Sequence, residues 1–252
     1  MQAGNYRIEM DTSSESIPPG WGDDDLTQFM DLAHENARAT FHNLKRDYRG
    51  LAGIDAAFMR LIEGWVDPEN PYAAPLAVRS FSAYRAAVQL AMSTQLTESY
   101  MVMRGCLEHA LYVNFIDATP GSWEVWRKWG ESDDDKKRCV KMFSGRNIFD
   151  AIRTRDPVLG ERAGALYERM IDFGAHPNEL SVGSTMELSD RDDGGLSFGY
   201  SFMAGDGVPF RLCLKSAAQT GLIVLDTLTL VFPQRAAMTG VQSMIAPIKP
   251  FY

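Results

Sequence analysis

Apolar positions recur at helical spacing over most of the chain. Leu26, Phe29, Met30, Ala33, Ala37, Phe41 and Leu44 repeat at intervals of three and four, which marks a helix with one apolar face. Asp23, Asp24 and Asp25 precede that run, where the unpaired N–H groups of a helix start favour carboxylates. A second helix is expected over 54–65. It stops at Asp67-Pro68, and a turn-rich link through Asn70-Pro71 leads to Pro75, because a residue before proline is pushed out of the helical region. From Pro75, well placed in a first turn, the pattern stays helical without another proline as far as Asp117. A single helix of that length would run roughly 60 Å, too long for a compact domain of this size. The pattern therefore predicts a turn near Ser93-Thr94-Gln95 and an antiparallel hairpin of two helices. The later one, over 97–116, is apolar on nearly every side and reads as a central buried helix. Thr119-Pro120-Gly121 ends it.

Trp123, Trp126 and Trp129 follow at a spacing of three, a helical packing face. Asp133 to Asp135 precede Lys136, Lys137, Arg138 and Lys141, an order that suits a helix dipole. Another helix follows Pro157, with Leu159, Ala163, Leu166, Tyr167 and Met170 on its apolar face, and ends near Gly174. The period then changes to two. Val182, Ser184, Met186 and Leu188 alternate with their neighbours, as do Phe198, Tyr200 and Phe202, with Asp192-Asp193-Gly194-Gly195 between, so a β-hairpin is expected at about 181–203. A final helix spans 210–232, opened by Pro209 and closed by Pro233. The expected fold is mainly α, a helical bundle of about six or seven helices with a small β-hairpin before the C-terminal helix. It forms one domain over 23–235, between a flexible arm at 1–22 and an irregular tail at 236–252.

Composition changes this picture little. With 252 residues, 45% hydrophobic and 23% charged, the chain has the make-up of a globular domain with a substantial core. A net charge of −8 and a pI near 5.1 argue against a surface adapted throughout to phosphate backbones. Basic residues do thicken between 127 and 155, but Asp133 to Asp135, Asp150 and Asp156 interleave with them, so a solvated mixed-charge surface is favoured over an RNA track. Cys106, Cys139 and Cys213 are widely spaced with no CxxC pair, which suits free thiols in a reducing cytoplasm. The first twenty residues lack the charge and apolar pattern of a secretory signal. The apolar run at 221–232 is interrupted by Asp226 and falls short of the roughly 20 residues a bilayer requires. The chain reads as a cytoplasmic protein with no membrane partner.

Chemistry concentrates in the 97–116 helix. Thr97, Met101, Arg104, Glu108, Leu111 and Phe115 share one face, so Arg104 and Glu108 stand one turn apart among apolar residues. They form either a structural ion pair or a binding fork for a polar or anionic ligand. Arg104 and His109 are separated by about 140° around the helix. Cys106 lies beside this cluster and reads as a small buried hydrophobe rather than a reactive thiol. Asp31, His34 and His42 share a face of the first helix, but no ExxH pair appears elsewhere to complete a di-iron cage, and no metal or cofactor is expected. GxGxxG, GxxxxGK and GxSxG are absent from the sequence.

The run from Arg104 to His109 matches arginine, four to six residues, then histidine, and here the chain resembles HEPN-like helical proteins. Arg169 to His176 fits the same spacing. In members with ribonuclease activity the motif lies near a cleft between helices, usually in a dimer. The resemblance implies metal-free RNA cleavage, with His109 near the ribose hydroxyl and scissile phosphate and Arg104 stabilising phosphate charge. A narrower resemblance, over about 80–177, is to uncharacterised HEPN-like bundles with arginine, glutamate four residues on, and a later histidine. Those residues are Arg104, Glu108 and His176, the last read as either a capping residue or a ligand. Two functions are carried forward. One is a non-catalytic protein, binding a protein partner, a second copy or a small polar ligand through Arg104, Glu108 and His176. The other is a HEPN-like metal-independent ribonuclease using Arg104 and His109 in defence or stress response, with RNA as a partner only in that case.

Overall fold

The structure, a computed structural model, describes residues 17–68, 70–176, 179–183, 186–191 and 194–252. The arm expected at 1–22 lies outside them up to residue 16, as do the hairpin-turn residues Asp192 and Asp193 and the strand positions Ser184 and Thr185.

The acidic run before the first helix acts as predicted. Asp24 caps α1 (Asp25–Asn43), its carboxylate accepting a hydrogen bond from the Thr27 amide at 2.9 Å. The next helix, α2 (Lys45–Ile62), starts well before residue 54, because its first half is a largely polar face with Leu51 turned inward. The long apolar stretch then divides into α3 (Ala74–Met92) and α4 (Leu96–Ala118), with the break at Ser93-Thr94-Gln95. Thr94 takes a left-handed φ of 63°, and the Ser93 hydroxyl bonds back to the Gln89 carbonyl at 2.8 Å, so the chain can reverse. Ser80 and Ser99 stitch the hairpin by donating to the carbonyls of Cys106 and Ala87, at 2.7 and 2.9 Å.

Short helices follow: α5 (Ser122–Arg127), α6 (Asp133–Met142), α7 (Gly145–Arg155) and α8 (Pro157–Met170). Ser132, Ser144 and Asp156 cap the last three through side-chain oxygens. A π-helical turn, Ile171–Ala175, and α9 (Glu179–Gly183) lead into the antiparallel pair β1 (Met186–Asp190) and β2 (Leu196–Tyr200), with Met186 opposite Tyr200. The long helix α10 (Val208–Val231) comes next. The fold is mainly α with a two-stranded hairpin before its last long helix, as expected. It has more helices than the six or seven predicted, with side-chain caps starting α6, α7 and α8 and further short helices in the tail.

The tail is where expectation and structure part. Residues 236–252 are not irregular: α11 (Pro233–Thr239) and α12 (Val241–Ile245) are followed by a closing 3-10 turn, Lys249–Phe251. Val241 and Ile245 are buried. The reason lies in α2, where Gly50 and Gly53 leave no side chain in the way. A Cβ at Gly50 would stand 2.1 Å from the Tyr252 hydroxyl, and one at Gly53 2.7 Å from Ile248 Cδ1. Arg235 adds a fork to the end of α2, donating to the carbonyls of Leu61 and Glu63.

The core is built on α4 and α10. The latter packs against α2, α3, α4 and α8, and its apolar character follows from that burial. Among the described residues it is the helix long and apolar enough to cross a membrane, yet 67% of its most apolar window is buried inside the fold. Two tyrosines sit in this core. Burial raises the Tyr100 phenol to about 12 and pushes Tyr84 well above the ordinary value; Tyr84 donates to the Leu51 carbonyl at 2.9 Å. Below about pH 10 these phenols are protonated in folded and unfolded chains alike and contribute their full stability. As pH rises toward the folded values, the unfolded chain loses its protons first, so stability falls by up to about 1.4 kcal/mol per pH unit for each such group. Urea titrations at about pH 9 and about pH 11 should show the loss, and Tyr100→Phe should reduce it.

Candidate functional site

Arg104 and Glu108 meet on α4 as their spacing predicts. Arg104 Nε donates to Glu108 Oε1 at 2.8 Å, and the Tyr167 hydroxyl on α8 donates to the same oxygen at 3.0 Å. The guanidinium lies 5.1 Å from the Tyr167 ring centre, a cation–π contact. The hydrogen bond to Glu108 raises the Arg104 pKa, against a smaller opposing effect of burial. The pair is less enclosed than its apolar neighbours in sequence suggest. Side-chain exposure is 32% for Arg104 and 40% for Glu108. The pair's worth is accordingly nearer the ~1 kcal/mol of an exposed ion pair than the roughly 3–5 kcal/mol of breaking a buried one.

His109 lies on the other side of Glu108. Its Nδ1 donates to the Gly105 carbonyl one turn back, which fixes the ring and leaves Nε2 for other partners. Leu76, Glu108, His109, Tyr112 and Trp126 enclose a recess of about 180 Å³. Its walls are held by stacking: Tyr112 on Phe143 at 5.0 Å, Trp126 on Trp123 at 5.1 Å, and Trp123 on Tyr72 at 4.8 Å. Among the described residues, no lysine or arginine lines this recess. Among the described residues, Oε2 of Glu108 and Nε2 of His109 carry no hydrogen bond.

His176 is exposed, in extended backbone after the π turn, and its carbonyl accepts from the Ser181 hydroxyl at 3.2 Å. The turn docks at the start of α4. Phe173 stacks on Tyr100 at 5.6 Å, and a Cβ at Gly174 would stand 2.4 Å from the Thr97 carbonyl oxygen. Thr97 precedes Arg104 by two turns, about 10 Å along the axis. The fold thus joins Arg104 with Glu108, sets His109 beside Glu108, and places His176 after a turn seated at a different height of α4.

Tyr167 and Trp126 complete the site without having been assigned to it from sequence. Tyr167 appeared there as an apolar helix position and Trp126 as packing; a tyrosine on a helix face carries no local sign that its hydroxyl will reach a carboxylate 59 positions away. The packing reading of the tryptophans holds for Trp123 and Trp126. Asp31 accepts from the Trp21 indole at 2.9 Å, and among the described residues no group of three or more side chains could hold a metal ion. Cys106 is enclosed, its thiol pKa pushed up by burial and its Sγ donating to the Ser80 carbonyl at 3.2 Å. Three cations of the basic stretch are paired: Lys137 with Asp134, Arg153 with Asp150, and Arg155 with Asp117. No protein-family model, curated protein or solved structure matches this chain.

Proposed function

We propose that this protein is a non-catalytic binding protein of the reducing cytoplasm that takes a small polar ligand at the Arg104–Glu108 face of α4. The observation that carries the reading is the lining of the recess beside His109. Among the described residues, one carboxylate oxygen and one imidazole nitrogen stand there without hydrogen-bond partners, beside the rings of Trp126 and Tyr112. A protonated amine suits those groups: it donates to Glu108 Oε2 and His109 Nε2 and rests its charge against the indole face. Arg104 and Tyr167 hold Glu108 by its other oxygen, so they orient the carboxylate. A volume of about 180 Å³ limits the bound group to a few heavy atoms.

A second reading, the HEPN-like metal-independent ribonuclease using Arg104 and His109, draws support from the tie between His109 Nδ1 and Gly105, which presents the nitrogen a general base would use. Against it stand the engagement of Arg104 by Glu108 and Tyr167 and the absence of cations from the recess lining. The test titrates the protein with ethanolamine and with neutral ethylene glycol, read on the Trp126 indole resonance. A saturable shift is expected with the amine alone, lost in a folded Glu108→Gln variant. No amine-dependent shift would remove the binding reading. Cleavage of labelled single-stranded RNA in excess chelator, abolished in a His109→Ala variant with unchanged melting temperature, would install the ribonuclease in its place.

A further inference from the structure

The C-terminal turn and the start of α2 form a second cavity, of about 540 Å³, which shares no lining residue with the recess on α4. Its charge is one-sided. Lys45, Arg46 and Arg49 line it, and among the described residues no acidic side chain does, Asp47 standing in the same turn of α2 but outside the lining. The other wall is apolar and aromatic, from Ile248, Phe251 and Tyr252. In a chain with 33 acidic residues against 25 basic ones, most cations near a cavity should find a carboxylate, and many elsewhere do: Arg85 with Asp55, Arg155 with Asp117, Lys249 with Asp226. Among the described residues, none of these three forms an ion pair; Arg46 instead lies 4.5 Å from the centre of the Phe251 ring.

This arrangement is unfavourable on its own. Lys45, Arg46 and Arg49 repel one another within about one and a half turns, with Asp47 as the one carboxylate in that turn to offset them. They also stand at the positive end of the α2 dipole, where anions are favoured, and α2 has no side-chain cap. The cavity is nonetheless carefully built, since it exists only because Gly50 and Gly53 admit Tyr252 and Ile248 against the helix. A dianion bound between the three side chains would turn the repulsion into charge-assisted hydrogen bonding. The volume falls in the range of small-molecule sites.

From the cavity and its three cations without carboxylate partners, we infer that this is a binding site for a phosphomonoester of mononucleotide size. The phosphate lies among Lys45, Arg46 and Arg49, and the planar body packs on Phe251 and Ile248. The inference does not depend on the amine site on α4.

The test is calorimetric titration of the full chain with adenosine 5′-monophosphate, adenosine and inorganic phosphate. The monophosphate is expected to bind, more weakly as salt rises, and adenosine is not. Lys45→Gln combined with Arg49→Gln should weaken monophosphate binding by about tenfold or more, in a protein whose melting temperature is unchanged. Phe251→Leu should weaken the monophosphate and leave inorganic phosphate as it was. Equal binding of adenosine and its monophosphate, no binding of either at millimolar concentration, or parent-like binding by the folded double variant would each overturn the assignment.

Discussion

Gly221→Ala should lower the stability of the protein by about 2 kcal/mol, although alanine is the better helix former. Gly221 lies in the middle of α10, where it faces α2 and α3. A Cβ there would stand 2.5 Å from Ile54 Cγ2 and 2.6 Å from Tyr84 Cε2. Both neighbours are buried. Tyr84 cannot swing aside, because its hydroxyl is bonded to the Leu51 carbonyl and its ring lies 5.2 Å from that of Phe58. Glycine to alanine within a helix gains roughly 1 kcal/mol from propensity, while forcing extra volume into a packed core costs about 1–3 kcal/mol or more. With two contacts this short, the second effect wins. Gly105→Ala supplies the contrast: a Cβ at that position meets nothing within 4 Å, so the same substitution in α4 should stabilise by about 0.5–1 kcal/mol. Urea midpoints of the two variants should move in opposite directions. Equal shifts would mean that α10 does not approach α2 and α3 so closely.

Arg155→Met should cost about 2–3 kcal/mol, more than an exposed ion pair is worth. Arg155 ends α7 and ties three helices. It donates to Asp117 Oδ2 at 2.7 Å, to the Leu230 carbonyl at 2.6 Å and to Asn114 Oδ1 at 3.4 Å. The Leu230 carbonyl belongs to the last turn of α10, where the helix has no internal donor left to offer, and a cation there also complements the dipole. Asp117 is 25% exposed. Removing the guanidinium leaves that carboxylate with Asn70 as its remaining donor, at 3.2 Å, and leaves the helix end uncapped. Because water still reaches the pair, the loss should fall below the roughly 3–5 kcal/mol of a fully buried one. Arg155→Lys should recover little of it, since a single ammonium on a shorter side chain cannot copy the planar fork. Denaturant unfolding of both variants gives the comparison.

Much of the architecture was legible along the chain. The break at Ser93-Thr94-Gln95 followed from length and proline spacing, and the hairpin from a change of period, although Val182, the first residue of that pattern, lies in α9 and Phe202 lies beyond β2. The acidic run before α1 and the Asp-then-Lys order in α6 are local electrostatics, readable without knowing any neighbour. The C-terminal tail was not legible, because its order depends on Gly50 and Gly53, about 200 positions earlier, and two glycines in a helix announce nothing about what will sit on them. The enclosure of the Arg104–Glu108 pair was overestimated for a related reason: apolar neighbours on α4 show that the helix is central, but the exposure of one face depends on what packs over it.

By itself, the sequence determined the long helices, the acidic start of the first, the hairpin before the last long helix and the pairing of Arg104 with Glu108. All of these depend on residues within a few turns of one another, where periodicity and backbone hydrogen bonding act. Only the tertiary structure decided that Tyr167 shares the Glu108 carboxylate, that His109 opens on a recess walled by Tyr112 and Trp126, and that three cations at the start of α2 face the C-terminal turn. Those juxtapositions come from packing between distant segments, and their cause is the shape left where helices meet, which no local pattern of apolar and polar residues encodes.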